Sequence, residues 1–290
     1  MTLRVTDLVR YPMKSTRGEE LRRATVEPCG LAGDRRWLVV DDQGGFLTAR
    51  ALPRLLLVTA RLGPDGLRLR APQMPEITVP TPREPTIDVT VWRSTVAATP
   101  APSARAWISS YLGRAAQLAY LDDPTRRATN PDFSRPEDRV SFADGYPLLL
   151  TSGASLGQLN EWIAAGPMSA QGPLPMARFR PNVVVDGDEP FAEDRWRDLQ
   201  IGAVRFRAVK GCARCVMTTV DPQTAAKGKE PIATLARHRR FDGETWFGVN
   251  LIPDLDRSDG DTISVGDEVR ILRASDTPGP LRVPELEPAS

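Results

Sequence analysis

Gly211-Cys212-Ala213-Arg214-Cys215-Val216-Met217-Thr218-Thr219-Val220-Asp221 is the stretch on which the reading of this chain turns. Its C-x-x-C pair admits three ordinary chemistries. In a thioredoxin-like motif the pair opens a helix, whose N-terminus lowers the thiol pKa. Here Val216, Thr218 and Val220 recur at period two, so the spacing predicts a strand after Cys215 and argues against that motif. A structural zinc site needs four ligands. Cys29, Cys212, Cys215 and His238 would be just enough, but the outer two lie far away in sequence and lack a partner at ligand spacing. The plainest reading makes both cysteines small buried hydrophobes. Against it stands Arg214, next to Cys215 in sequence, because a nearby cation favours thiolate over thiol.

Composition narrows the field. The 290 residues are 41% hydrophobic, enough for one large domain or two modest ones. Lys and Arg number 38 against 37 Asp and Glu, and that balance lacks the basic excess of a nucleic-acid footprint. No apolar run is long enough to span a bilayer, and the N-terminus has no signal-peptide core, so a soluble, cytoplasmic protein is expected. Three cysteines do not make a disulfide framework. The single histidine, His238, sits in a polar helical stretch and reads as a solvated helix-end residue rather than a catalytic base.

The pattern along the chain is β-rich. Val5 to Val9, Ala24 to Val26, Trp37 to Val40 and Phe46 to Thr48 are short apolar stretches separated by turn residues. Ile87, Val89 and Val91 alternate with polar neighbours as in a half-buried strand. Ala104, Trp107, Ile108, Tyr111 and Leu112 then fall on one helical face, with Pro102 before them and Gly113 as a stop. Asp122 to Arg139 reads as a loop, of the kind that covers a site. A second helix is predicted over Ser152 to Ala165, with Ser152 near its N-cap. Strands resume at Val183–Val185, at Val204, Phe206 and Ala208, at Ile263 to Val265 and at Val269 to Leu272. A short helix begins near Pro231. The sum is a β-dominated α+β protein in two barrel-like units, 1–118 and 119–273. A Pro-rich tail, 274–290, is expected to be disordered.

Several short elements occur in a definite order. They are Tyr11-Pro12-Met13-Lys14-Ser15, Gly33-Asp34-Arg35-Arg36-Trp37, Leu47-Thr48-Ala49-Arg50, Ser152-Gly153-Ala154-Ser155-Leu156, Phe179-Arg180-Pro181-Asn182, the cysteine stretch, Glu230-Pro231 and Phe247-Gly248-Val249-Asn250-Leu251. Singly each is weak. In this order they resemble the molybdenum cofactor sulfurase C-terminal (MOSC) domain family. The resemblance is to its branch with an N-terminal β-barrel domain, which includes the mitochondrial amidoxime-reducing component and bacterial relatives. The sequence departs at Gly153, where the family carries an acidic residue, and at Val249, where relatives often carry Gln.

The resemblance implies a molybdenum–molybdopterin cofactor with Cys215 as the protein ligand to the metal, and Cys212 in a supporting or packing role. A soft thiolate suits a metal of this kind. Molybdopterin ends in a phosphate, so its pocket needs cations and amides. Lys14, Ser15, Arg35 and Arg180 fit that work, with Ser152 and Asn182 toward the pterin and Arg214 and Asn250 completing the cofactor set. Arg36 and Arg50 read equally well as surface charge or ligand contacts, and Asp221 as a turn residue before Pro222. The implied reaction is reduction of N-hydroxylated compounds such as amidoximes, hydroxamic acids or hydroxylated nucleobases. The family is also associated with pyridoxal phosphate binding. A plant-type iron–sulfur cluster needs four cysteines, and no dinucleotide fingerprint is present. Electrons are therefore expected from a separate ferredoxin, flavoprotein or cytochrome-type donor. A protein that binds, stores or sulfurates the cofactor without turning over a small substrate would use the same residues.

Overall fold

In the computed structural model, which describes residues 2–83, 86–255 and 261–283, strands dominate and three α-helices are placed among them. This is the expected β-dominated α+β architecture. The largest sheet runs in the order Glu19–Leu21, Val5–Arg10, Val183–Val185, Leu148–Ser152, Glu244–Asp254, Val204–Ala213, Trp196–Ile201 and Val269–Ala274. Its one parallel pair among the described residues, Leu148–Ser152 with Val183–Val185, is joined through a helix, α2 below, because parallel neighbours need a crossover. A five-stranded sheet contains Ile87–Val91, Ser94–Ala101, Gln117–Tyr120, Trp37–Val40 and Phe46–Leu47. A meander of Thr59–Gly63, Gly66–Arg70 and Ile77–Val79 lies beside it in the first half of the chain.

Chain order and sheet membership part company at the N-terminus. Val5–Arg10 pairs with Val183–Val185, and Arg23–Glu27 pairs with Thr262–Ser264. The links between these strands and the five-stranded sheet, residues 11–18 and 28–36, therefore run along the junction of the two halves. Two of the short sequence elements, around Lys14 and Arg35, fall in these links.

The helices form where periodicity placed them. α1 (Arg105–Leu112) buries Trp107, Ile108, Tyr111 and Leu112 and ends on Gly113, whose φ of 67° is the left-handed cap that glycine adopts without cost. α2 (Gly153–Ala164) is capped by Ser152, whose hydroxyl accepts from the Ala154 and Ser155 amides. α3 (Ile232–His238) follows Pro231, and His238 in its last turn stacks on Trp162 at 4.3 Å.

The strand expected over Val216 to Val220 does not form. Residues Val216–Thr219 make a 3-10 turn instead. Thr218 and Thr219 turn their hydroxyls back to the carbonyls of Cys215 and Val216, three residues earlier, which offers the backbone an alternative to a ladder. Met217 and Val220 then share one face, as residues three apart do in such a turn, and both pack into the core of the N-terminal half. Pro-rich residues 275–283, read from sequence as part of a disordered tail, lie against the fold: Leu281 is buried and its carbonyl accepts from the Gly211 amide at 2.8 Å. A Cβ at position 211 would sit 2.9 Å from Pro280 Cβ, so this close approach requires glycine. Residues 284–290 lie outside the described residues. No helix among the described residues is long and apolar enough to cross a membrane.

One buried acid makes the fold pH-sensitive. Glu193 is fully buried; one oxygen accepts from Ser155 at 2.9 Å and the other has no partner. Burial, and then the charge of Asp194, push its carboxyl up to about 7. The unfolded chain ionises near 4.5 while the native state holds the proton, so stability is lost as pH rises from about 4.5 through 7. Glu193→Gln should flatten this part of the profile, read as the urea midpoint against pH. Parallel profiles for the two proteins would mean that Glu193 is ionised throughout.

Candidate functional site

Cys215 lies just past the end of the long strand Val204–Ala213, where β-bulges break the register with Glu244–Asp254. Bulges re-aim the chain at such places. Here they release the backbone from the sheet two residues before the sulfur. The thiol is partly exposed, and Arg50 donates from Nε to its Sγ at 3.3 Å. Arg50 is held in turn by Asp144, which accepts from its Nη2 at 2.7 Å. The second oxygen of Asp144 accepts from Lys14 Nζ at 2.5 Å and from Trp92 Nε1 at 3.2 Å. The Arg50 guanidinium sits 4.7 Å from the Trp92 ring centroid. Cys215, Arg50, Asp144, Lys14 and Trp92 thus form one connected group drawn from both halves of the chain.

Arg127 supports this group from below. Its guanidinium is buried and donates to the carbonyls of Ser141, Ala143 and Asp144, which fixes the backbone strap that carries the carboxylate. The expected loop over Asp122 to Arg139 is thus tied down, with 3-10 turns at Pro124–Arg126 and Pro131–Phe133.

A second cluster adjoins the first. Tyr11 is buried between Arg35 and Arg180, whose guanidinium carbons lie 4.6 Å and 4.2 Å from its ring centroid. Arg35 is anchored by Asp34 at 2.5 Å and by Asn182 Oδ1 at 3.0 Å, and Arg180 donates to the Thr16 carbonyl at 2.5 Å. Ser15, Arg35 and Arg180 all have left-handed backbone angles, with φ of 70°, 49° and 57°. Non-glycine residues in that region cost energy and gather at ligand-holding sites.

The charges of the two clusters are not balanced. Lys14, Arg35, Arg50, Arg127 and Arg180 are set against Asp34 and Asp144. Burial brings Lys14 down to about 8, although Asp144 pulls the other way, and brings Arg127 and Arg180 down to about 10. Burial raises the Asp144 carboxyl, but Lys14 and Arg50 outweigh it and hold the group well below the usual carboxylate range. Such an arrangement can take up an anion, which would restore the cations that burial penalises.

The remaining residues singled out from sequence have other partners. Arg214 turns away from Cys215: its Nη1 donates to Cys212 Sγ at 2.7 Å and its Nη2 to the Phe179 carbonyl at 2.6 Å. Its amide donates to the Thr245 carbonyl at 2.7 Å. The cation at Cys215 is therefore Arg50, not its sequence neighbour. Asn182 is spent inside the protein. Its Nδ2 donates to the Val9 carbonyl and to Asp34, and its Oδ1 accepts from Arg35 and the Leu149 amide. That exhausts a side-chain amide, so Asn182 braces Arg35. Ser152 caps α2, and Asn250 donates to the carbonyls of Lys210 and Gly211, at the base of the cysteine segment. Arg36 holds the Leu121 and Asp122 carbonyls and is structural. Asp221 makes the turn over Pro222, accepting from the Gln223 and Thr224 amides. Cys29 is buried beside Glu27, and no group of three metal-ligating side chains converges among the described residues, so the zinc set does not assemble. Asp144, Arg127 and Trp92 carried no sequence signal of function. Arg50 and Tyr11 carried a signal only through the short motifs that hold them.

Chemically, the arrangement can hold a multiply charged anion beside a soft sulfur. The comparisons with known proteins agree in class. Residues 2–115 match the MOSC N-terminal beta barrel domain and residues 137–270 the MOSC domain. Human mitochondrial amidoxime-reducing component 1 is 32% identical, over 92% of this chain and 82% of that protein. Rat mitochondrial amidoxime reducing component 2 is 36% identical, over 80% and 71%. The molybdenum cofactor sulfurase of rice is 29% identical over 90% of this chain but 34% of its own length. The chain belongs to the MOSC family, alongside the mitochondrial amidoxime-reducing components.

The ion pair at the centre of the site can be tested in the cofactor-free protein. The chain has only Lys14, Lys210, Lys227 and Lys229, so 13C-dimethylated lysines give few NMR signals to assign. Lys14 should titrate near 8, and Asp144→Asn should move it lower, because the carboxylate is what raises it. A Lys14 that titrates above 10 in both proteins would show that the Lys14–Asp144 pair is not formed.

Proposed function

We propose that this chain is a molybdopterin-dependent oxidoreductase that reduces N-hydroxylated substrates, with Cys215 as the protein ligand to molybdenum. The observation that carries the reading is the partly exposed Cys215 sulfur under Arg50, adjoining a cation cluster with too few carboxylates to balance it. The donor set fits the group: a soft thiolate for the metal and buried cations for a phosphate-bearing pterin. When bound, the molybdenum cofactor supplies two-electron oxygen-removal chemistry.

The chain's own residues do the rest. Lys14, Ser15, Arg35 and Arg180 hold the anionic cofactor, with Asp34 and Asn182 keeping Arg35 in place. Arg50 places positive charge beside the Cys215 sulfur, and Asp144 fixes Arg50 so that its Nε faces it. Arg214 organises the cysteine segment through Cys212 and Phe179 rather than through the ligand itself. Asn250 holds the strand end from which the segment departs. Charge and orientation are the protein's contribution, while the redox step belongs to the cofactor.

Cys215→Ser should purify with little molybdenum and no activity, since a hard hydroxyl replaces the thiolate poorly. Cys212→Ser should retain part of both, because its loss frees only Arg214. Molybdenum per chain and turnover decide; total loss from both substitutions alike would point to a dithiol or zinc site instead.

Electrons are proposed to come from a separate ferredoxin, flavoprotein or cytochrome-type protein. The loaded protein should reduce an amidoxime with a chemically reduced viologen dye and not with NADH or NADPH alone. Dye oxidation that ignores added amidoxime or hydroxylamine would instead favour a cofactor-binding or sulfur-transfer role, in the manner suggested by the name of the rice relative.

A further inference from the structure

The meander of Thr59–Gly63, Gly66–Arg70 and Ile77–Val79 has two unlike faces. Alternation turns Ala60, Leu67, Leu69 and Val79 inward, where they share a core with Val220 of the turn after Cys215. The outer face carries Arg61, Arg68 and Arg70, all exposed. Register sets Arg61 directly opposite Arg68, and Thr59 opposite Arg70. Like charges that face each other across a strand pair destabilise it, so the fold bears a cost here. Among the described residues one carboxylate answers the three guanidinium groups. Glu76 meets Arg70 Nε at 3.0 Å with one oxygen and Arg68 Nε at 3.5 Å with the other, and Arg61 has no ion pair. In a chain whose 38 cations and 37 acids nearly balance, this face holds a local excess of positive charge.

The face is also concave. Thr59, Arg61, Arg68, Arg70 and Glu76 line a cavity of about 380 Å³, and none of the residues assigned to the cofactor borders it. Small-molecule sites run from roughly 300 to 1,000 Å³, so this volume suits a compact ligand. A concave surface of one sign focuses its field and gathers counter-ions. We infer that the cavity is a second anion site, separate from the one beside Cys215, and that it takes a compact polyanion built on phosphate. Guanidinium forks bind phosphate oxygens two at a time, and a phosphate group offers oxygens in several directions. A carboxylate presents one planar edge and would engage fewer of the three arginines. Glu76 competes with the incoming anion for Arg68 and Arg70, while Arg61 is the cation that the protein itself does not neutralise. The site stands independently of the reductase reading.

Sodium diphosphate titrated calorimetrically into the purified chain at constant ionic strength tests the assignment. In Arg61→Gln/Arg68→Gln one binding component should weaken at least about ten-fold, as expected when charge-assisted hydrogen bonds to phosphate are lost. Glu76→Gln should tighten the same component about two- to five-fold, the size of one exposed ion pair removed from competition. The double variant should also keep or raise the thermal midpoint of unfolding, because the opposition of Arg61 and Arg68 is relieved. Arg35→Gln, at the cofactor cluster, should leave this component in place. If diphosphate binds equally well to the double variant, or if the component is lost in Arg35→Gln instead, the cavity is not the site. Equal affinity for citrate would overturn the choice of phosphate. Binding of poly-glutamate without binding of diphosphate would overturn the small-ligand assignment and make the face a docking surface for an acidic protein.

Discussion

The carboxylate of Asp144 is shared by Lys14 on one oxygen and Arg50 on the other, and much of the site's geometry follows from that sharing. Lys14 arrives on the crossing segment after the first strand, Arg50 from beyond the hairpin of Trp37–Val40 and Phe46–Leu47, and Asp144 from the strap before Leu148–Ser152. None of the three is near another in sequence. Without the carboxylate, two cations would face each other with their ordinary hydration partly stripped away, a costly arrangement. With it, Arg50 is held so that its Nε faces Cys215. The carbonyls that Arg127 gathers beneath the strap are the second layer of the same device.

Packing brings these segments into register. The turn after Cys215 sends Met217 and Val220 into the core of the N-terminal half, while the strand before it belongs to the sheet of the C-terminal half. The cysteine is thereby suspended between two cores. The N-terminal strand Val5–Arg10, lodged in the largest sheet beside Val183–Val185, closes the arrangement from the other side. Such an interlock makes the site sensitive to the fit between halves, because each half supplies cations that the other half positions. It also accounts for the strained angles at Ser15, Arg35 and Arg180, which only a surrounding structure fixed on both sides can sustain.

Excess buried positive charge has a functional logic. Burial lowers Lys14, Arg127 and Arg180 from their ordinary values, so the chain carries cations at a cost. A bound anion relieves that cost, so part of its binding energy is stored in the protein beforehand. Tyr11 lies within cation–π distance of two guanidinium groups, those of Arg35 and Arg180. The same contact recurs at Arg50 and Trp92.

The sequence by itself determined the local elements. Period-two apolar runs became strands, the Trp107-Ile108-Tyr111-Leu112 face became α1, and Ser152 and Gly113 capped helices as their chemistry dictates. It also marked Lys14, Arg35, Arg180 and Cys215, because short motifs preserve order along the chain. It misread Val216–Val220, since the same stretch also holds an apolar pair three apart, Met217 and Val220, and threonine hydroxyls bonded to the chain tipped the balance to a 3-10 turn. It assigned the cation at Cys215 to Arg214, its neighbour in the chain, whereas the Arg214 side chain donates to Cys212. Which guanidinium meets the sulfur, which carboxylate holds it and which indole stands beside it were decided by tertiary structure alone. Arg50, Trp92, Asp144 and Cys215 come together through long-range packing, and a linear pattern records only what lies within a turn or two of each residue.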